Sequence, residues 1–236
     1  MLFRSEDTYF SGRIGLGYNS ESRKHVLVLT RYKEQNLSTL EYKLECKLRY
    51  VEEREWRPID PPPSHVILAS TPPAYANGKI CWLVEPSLCQ ASPNSEIVAF
   101  DVQSEEFEVL QGPRCSYPVG RMSILCLQGA LCVACSNQII NVIDIWMMKD
   151  NNGTWLREYH IDLTEFHAEY SSEETTPLTI DPKDGRILLS TGWSLGYYDL
   201  KTAALETIYS LGVQDDGRKF SPIICDESLV FTLGGA

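Results

Sequence analysis

Asn77-Gly78-Lys79-Ile80-Cys81-Trp82-Leu83-Val84 opens with a tight-turn pair and runs straight into an apolar segment. Asn-Gly takes the positive φ that a two-residue hairpin demands, which makes it the strongest short-range hairpin signal in a sequence. A polar gap leads to Ile97-Val98-Ala99-Phe100-Asp101, and Gln103-Ser104-Glu105-Glu106 then separates that run from Phe107-Glu108-Val109-Leu110. Asp101 and Ser104 carry side chains that hydrogen-bond the backbone of a turn. The stretch therefore predicts two hairpins, which together make one four-stranded antiparallel sheet, a blade.

The unit returns along the chain. Asp184-Gly185 precedes Ile187-Leu188-Leu189, and Tyr198-Asp199-Leu200-Lys201-Thr202 turns into Leu205-Glu206-Thr207-Ile208. A third copy takes in residues 124–127, Gln128-Gly129, 131–134, 142–147 and 155–161. An earlier copy pairs 14–18 with 25–29 and 44–50 with 56–59, and 223–225 with 229–232 supply one further hairpin. Glycine turns at 78, 129 and 185 recur at roughly 50 residues, a period of propeller blades. The fold class predicted is all-β, a β-propeller of four-stranded antiparallel blades, incomplete at about four and a half. Residues 1–13 read as a poorly ordered lead-in and 14–236 as the propeller domain, with at most a turn or two of helix near 163–170.

Composition bounds the function. The 236 residues are 43% hydrophobic and 22% charged, with 21 Lys and Arg against 32 Asp and Glu, a net charge of −11. Phosphate contacts draw on clustered Lys and Arg, so this balance disfavours nucleic acid as a partner. Met1-Leu2-Phe3-Arg4-Ser5-Glu6-Asp7 has acid where a signal peptide has its apolar core, and no apolar run reaches membrane-spanning length. The sequons at Asn36 and Asn152 then read as turn residues. Of eight cysteines, Cys81, Cys126, Cys132 and Cys225 lie in apolar strand patterns, where free Cys acts as a small buried hydrophobe. The expectation is a reduced, intracellular protein, cytoplasmic or nuclear.

Several motifs resemble chemistry without its context. Gly192-Trp193-Ser194-Leu195-Gly196 matches the G-x-S-x-G nucleophile elbow, but that elbow joins a strand to a helix and needs a later histidine. Here Tyr197-Tyr198 continues as strand and the last histidine is His167, so 192–196 reads as a glycine-flanked loop between two strands of a blade. Cys132-Val133-Ala134-Cys135 has zinc-knuckle spacing, yet side chains three apart in a strand point to opposite faces. The acid pairs Glu52-Glu53, Glu105-Glu106, Glu173-Glu174 and Asp215-Asp216 fall in predicted turns and read as solvated charge. Trp56, Trp82, Trp146 and Trp155 are expected to fill the spaces between blades. No metal, cofactor or catalytic residue is predicted. Long loops on a rigid β scaffold carry binding, and here they are 85–96, 112–120 and 167–176. Arg and aromatic side chains dominate interface energy, so Trp193, Tyr117, Arg114 and Arg121 are the predicted partner-binding residues.

An ordered set of segments resembles the plant F-box-associated domain. It comprises Gly15-Leu16-Gly17-Tyr18-Asn19, Trp56-Arg57-Pro58-Ile59-Asp60, residues 75–83, Ile97-Val98-Ala99-Phe100-Asp101 and Leu131-Cys132-Val133. Residues 145–150 with Trp155, Gly185-Arg186-Ile187-Leu188-Leu189 and Glu227-Ser228-Leu229-Val230 complete the set, from about 14 to 230. The resemblance implies a Kelch-type propeller that serves as the substrate receptor of a cullin-based ubiquitin ligase, without catalytic residues and with a target protein as partner. A free-standing scaffold and a propeller enzyme with its site at the central channel are the alternative readings; a metal assay and a substrate panel separate the enzyme from the others. The family's leading Leu-rich F-box, which grips a Skp-type adaptor, has no match in these residues, nor has a Cys-Asn-Gly-Leu-like first segment. This 236-residue chain is therefore expected to leave purified Skp-type adaptor unbound in a pull-down, whereas a product carrying an F-box binds it; tight stoichiometric binding would place the recruiting element inside these residues.

Overall fold

Four antiparallel sheets of four strands each organise the described residues of the computed structural model, which are 13–36, 41–62, 71–84, 95–115, 121–150, 153–211 and 219–222. The first holds β1 (Arg13–Asn19), β2 (Lys24–Asn36), β3 (Glu41–Tyr50) and β4 (Arg57–Ile59). The second holds β5 (Ala74–Ala76), β6 (Lys79–Leu83), β7 (Glu96–Asp101) and β8 (Glu106–Gln111). The third is β9 (Met122–Leu127), β10 (Ala130–Asn137), β11 (Val142–Met148) and β12 (Trp155–Asp162). The fourth is β13 (Thr176–Ile180), β14 (Ile187–Ser190), β15 (Ser194–Tyr198) and β16 (Leu205–Ser210). Within each sheet the strands lie in chain order, and β1 meets β5 and β6, β5 meets β9, and β9 meets β13. These are the blades of a β-propeller. The predicted half-blade at 223–232 lies outside the described residues, as do residues 1–12 of the predicted lead-in.

The turn chemistry is local. Asn77 and Gly78 have φ of 53° and 77°, and Gln128 and Gly129 have 51° and 80°, the doubly positive pattern of type I′ hairpins. They close β5–β6 and β9–β10, and Gly185 (φ 79°) lies at the matching place before β14. Asp101 Oδ1 accepts from the amides of Gln103 and Ser104 at 2.8 and 3.0 Å, and Asp199 Oδ1 accepts from Lys201 and Thr202 at 2.7 and 3.3 Å. Equivalent outer turns thus use the same carboxylate device. Among the described residues the only helix is one 3-10 turn, Thr164–Phe166.

β2 departs from expectation. Residues 33–40 read as a polar connection, yet β2 continues to Asn36 and pairs through Gln35↔Tyr42 and Asn36↔Glu41. Ladder hydrogen bonds do not depend on side-chain polarity, and opposite charges facing across strands favour this register. Arg31 lies opposite Glu45 and forms an ion pair with it, while Lys33 reaches the same carboxylate at 3.1 Å. The hydrogen bond from Arg31 holds the Glu45 carboxyl down to about 2.

Among the described residues the core is three layers between sheets. Val26, Val28 and Leu48 pack with Ile80, Trp82, Val84, Val98, Phe100 and Val102 between the first and second. Cys81, Leu83, Ile97 and Ala99, from the other face of the same strands, pack with Ile124, Leu131, Val133, Cys135 and Met148 of the third. Cys132, Ala134, Ile143, Ile145 and Met147 then meet Ile187, Leu189 and Tyr198 of the fourth. Trp82 is fully buried, and Trp146 and Trp155 pack against the second layer, with Trp155 Nε1 donating to the Gln111 carbonyl at 2.9 Å. Trp56 is the exception to the predicted set. It lies half-buried in the turn before β4, with the Arg49 guanidinium 5.2 Å from its ring centroid. A three-residue β4 is too short to carry it into an inter-sheet layer.

Gly15 and Gly17 face the second sheet at closest approach. A Cβ on Gly15 would stand 2.3 Å from Ile80 Cγ2 and 3.0 Å from Trp82 Cζ2. Gly15→Val is expected to lower stability by about 1–3 kcal/mol through overpacking, and Trp82→Ala by about 3–5 kcal/mol through the cavity it leaves. Urea unfolding of both variants measures these values, and a neutral Gly15→Val would contradict the close β1–β6 approach.

Candidate partner-binding surface

An even number of strands returns the chain to the end of the sheet at which it entered. Every linker between sheets therefore shares one end with the turns between second and third strands. The other end carries the turns between first and second and between third and fourth strands. Cross-sheet bonds fix the sheets in this common orientation. Asn19 Nδ2 donates to the Val102 carbonyl at 3.1 Å and the Tyr75 hydroxyl to the Tyr18 carbonyl at 2.7 Å at the turn end. At the linker end, Ser172 N donates to Asn141 Oδ1 at 2.7 Å and Ser172 Oγ to the Asn137 carbonyl at 3.0 Å. Of the three long loops predicted from sequence, 167–176 falls at the linker end, as do the described ends of the other two, whose residues 85–94 and 116–120 lie outside the described residues.

Two of the four predicted contact residues are brought into one neighbourhood there. Arg121 is exposed, and its Nη1 donates to the Glu174 carbonyl at 3.3 Å and the Glu173 carbonyl at 3.5 Å. Its backbone is held by Ser136, whose Oγ accepts from Arg121 N at 2.8 Å and donates to the Arg121 carbonyl at 2.9 Å. Glu174 in turn binds Lys219 Nζ at 2.9 Å, and that ammonium lies 5.9 Å from the Trp193 ring centroid. Trp193 is half-buried between β14 and β15, on a turn where Thr191 Oγ1 accepts from the Trp193 and Ser194 amides at 3.2 and 2.9 Å. Gly192 supplies the positive φ of 81° that this turn requires, and a Cβ there would also press on Lys219.

Arg114 is exposed on the linker leaving the second sheet, and Tyr117 lies outside the described residues. Lys219 and Glu174 were not singled out from sequence as contact residues. Their pairing spans 45 positions, and no local pattern signals it. Asn141 was missed for the same reason: buried, with φ 52°, it donates to the Leu163 carbonyl at 2.6 Å while receiving Ser172, and so anchors the linker that carries Glu173 and Glu174.

The motif-level chemistry resolves as follows. Ser194 opens β15, is 2% exposed, and its Oγ lies 2.9 Å from Ser210 Oγ, so it is a strand residue rather than the tip of an elbow. Cys132 and Cys135 occupy different core layers, as strand alternation requires. Glu105 is bound by Tyr50 Oη at 3.0 Å and by Arg57, and so is a structural carboxylate. The cysteines correct one expectation. Cys115 and Cys135 are joined as a disulfide that ties the linker after β8 to β10, whereas the sequence reading held the thiols reduced. Twenty positions separate the two, and only the packing of the second sheet on the third brings them together. Cys46, Cys81, Cys126 and Cys132 are free, and burial pushes the Cys46, Cys81 and Cys132 thiols up to about 12.

Comparison with known proteins yields a family match across nearly the whole chain: the model described as the F-box associated beta propeller domain covers residues 2–232. A putative F-box/kelch-repeat protein of Arabidopsis thaliana is 29% identical over 182 residues, covering 69% of this chain and 40% of that protein. The F-box protein CPR1 of the same plant is 24% identical over 242 residues, covering 94% of this chain and 56% of the relative. The chain thus spans about half or less of these relatives' own length. Among solved structures, TolB of Acinetobacter baumannii aligns with 84% of this chain and 44% of its own at TM-score 0.42 and 11% identity, a likeness too low to bear on function.

The thiols give a direct check on the packing. The thiolate is the reactive form, so at pH 8, well below about 12, Cys46, Cys81 and Cys132 are expected to stay unmodified by maleimide in the folded protein and to react on unfolding. Peptide mass spectrometry reads each site, and rapid native labelling of Cys81 would contradict the two-faced burial of β6.

Proposed function

The chain belongs to the F-box associated beta propeller domain family, and we propose that it is a non-enzymatic target-binding module of the kind that gives an F-box ubiquitin-ligase receptor its choice of substrate. The observation that carries this reading is the gathering of the long linkers and of Arg121, Glu174, Lys219 and Trp193 at one end of the propeller. A rigid β scaffold presenting irregular loops at one end is suited to protein recognition. An aromatic ring backed by a cation, with an exposed arginine beside it, supplies the side-chain types that dominate interface energy. Recruitment to the ligase runs through an F-box and a Skp-type adaptor; the propeller contributes the grip on the target. The compartment proposed is cytoplasmic or nuclear, where such ligases act, and among the described residues no helix is long and apolar enough to cross a membrane. The buried, hydrogen-bonded Ser194 supports the non-enzymatic reading against a serine hydrolase.

Alanine replacement tests the surface. Once a target is recovered by affinity capture from plant extract and purified, Trp193→Ala and Arg114→Ala are each expected to weaken its binding by at least tenfold, since hot-spot truncations cost about 2 kcal/mol or more. Their unfolding free energies should stay within about 0.5 kcal/mol of the parent, as is usual for surface changes. Arg121→Ala is expected to lower both affinity and stability, because its guanidinium also secures residues 173–174. Unchanged affinity with reduced stability for Trp193→Ala would assign that ring to covering the blade and move the surface elsewhere.

A further inference from the structure

The linker that leaves the second sheet is fastened at three places, and one of the three is a covalent bond. Gly112 N donates to the Ser95 carbonyl at 2.7 Å and Ser95 Oγ to the Pro113 carbonyl at 3.2 Å. Both of these first linker residues are buried. At the far end, Ser136 Oγ accepts from Arg121 N at 2.8 Å and donates to the Arg121 carbonyl at 2.9 Å. Between these fastenings the Cys115–Cys135 disulfide ties the linker to β10, with the two Cα atoms 6.5 Å apart. Arg114, exposed, stands on the span that the disulfide secures. Among the described residues, the one hydrogen bond of Arg114 and Cys115 is local, from Cys115 N to the Pro113 carbonyl at 3.1 Å.

The two sulfurs are unequally placed. Cys135 is 2% exposed within the layer between the second and third sheets, whereas Cys115 is half-buried at its margin. An external thiolate therefore reaches the pair from the Cys115 side, since access helps decide which sulfur is attacked. Glutathione keeps cytoplasmic and nuclear thiols reduced, and a disulfide in those compartments is characteristically transient, catalytic or redox-sensing. Breaking this one removes the covalent constraint from Arg114 and Cys115 while Ser95 and Ser136 still hold the two ends of the linker.

We propose that Cys115–Cys135 is a redox switch on the partner-binding surface, closed by oxidised glutathione and opened by reduced glutathione. In opening, one glutathione thiolate attacks Cys115 Sγ, forming a mixed disulfide and expelling the Cys135 sulfur, which takes up a proton. A second thiolate attacks the glutathione sulfur of that mixed disulfide and expels Cys115, which is protonated in turn. Two electrons and two protons pass to the protein, and one molecule of oxidised glutathione leaves. The oxidised form holds Arg114 in place, whereas the reduced form must order that span on binding and so grips a target less tightly. The switch rests on the proposed function for what the linker binds, and on the disulfide alone for the change of linker state.

Differential alkylation and peptide mass spectrometry of the full chain, equilibrated in glutathione buffers, follow the bond. It is expected to be mostly formed in oxidising buffer and mostly broken at a cytosolic ratio of reduced to oxidised glutathione. On reduction, hydrogen–deuterium exchange at the Cys115 amide should rise about tenfold or more, as a locally freed segment does. Exchange at Ser136 and along β6 should stay unchanged, which shows that the blades remain folded. Cys115→Ser should reproduce the reduced form in either buffer; should its β6 protection fall, Cys115→Ala is measured by the same readout and decides. A bond unmoved between the two buffers, or Cys115 exchange indifferent to its state, overturns the proposal. These readouts need no target, so they judge the switch even where the proposed function fails. With a purified target, the reduced form should bind about three- to tenfold more weakly than the oxidised one, the cost of ordering one long side chain and its span. Equal affinity of the two forms also overturns the proposal.

Discussion

A sheet in this protein has to bury two faces at once, and strand alternation is what makes that affordable. Along β6, Ile80 and Trp82 enter one core layer while Cys81 and Leu83 enter the next; β7 and β10 divide in the same way. Each fully buried side chain contributes about 1.5–3 kcal/mol, so a five-residue strand serves two layers only if nearly every position is apolar. That requirement accounts for the near-continuous hydrophobic runs of the middle strands, and for the charged, alternating character of β3 and β8 at the rim. It also dictates glycine in β1, where the side chains of Ile80, Trp82 and Val102 press on the β1 backbone too closely to admit a Cβ.

The architecture of the surface follows from the same stacking. Four strands per sheet bring every linker to one end, and stacking sets these linkers side by side. Polar side chains then fix them: Asn141 and Ser172 between the third and fourth sheets, Ser136 under Arg121, and Thr191 under Trp193. These bonds satisfy backbone groups that would otherwise be buried unpaired, at a cost of about 1–3 kcal/mol each. The Arg121, Glu174, Lys219 and Trp193 neighbourhood thus stands on a framework that holds its backbone in place.

Buried thiols and a tied linker give the cysteines two separate roles. Cys46, Cys81 and Cys132 are space-filling groups whose ionisation is suppressed by desolvation. Cys115 and Cys135 hold the linker between the second and third sheets against β10, beside the exposed Arg114.

Much of the fold was legible in the chain itself. Asn77-Gly78, Gln128-Gly129 and Asp184-Gly185 marked the first hairpin of three blades, because a positive φ is a property of one or two residues and is written locally. The all-β class and the blade unit followed from alternation and period. Cys132 was rightly read as a strand residue, since strand geometry decides where neighbouring side chains point, whereas Ser194, read as part of a glycine-flanked loop, opens β15. What only the tertiary structure decided are contacts between distant residues. Trp56 falls outside the inter-sheet layers, Cys115 meets Cys135, β2 runs on through polar residues to its partner, and Glu174 joins Arg121 to Lys219 and Trp193. Periodicity states that a side chain faces one way or the other; which sheet waits there, and which linker crosses it, depends on how separate blades stack, and that is fixed by packing across the whole chain.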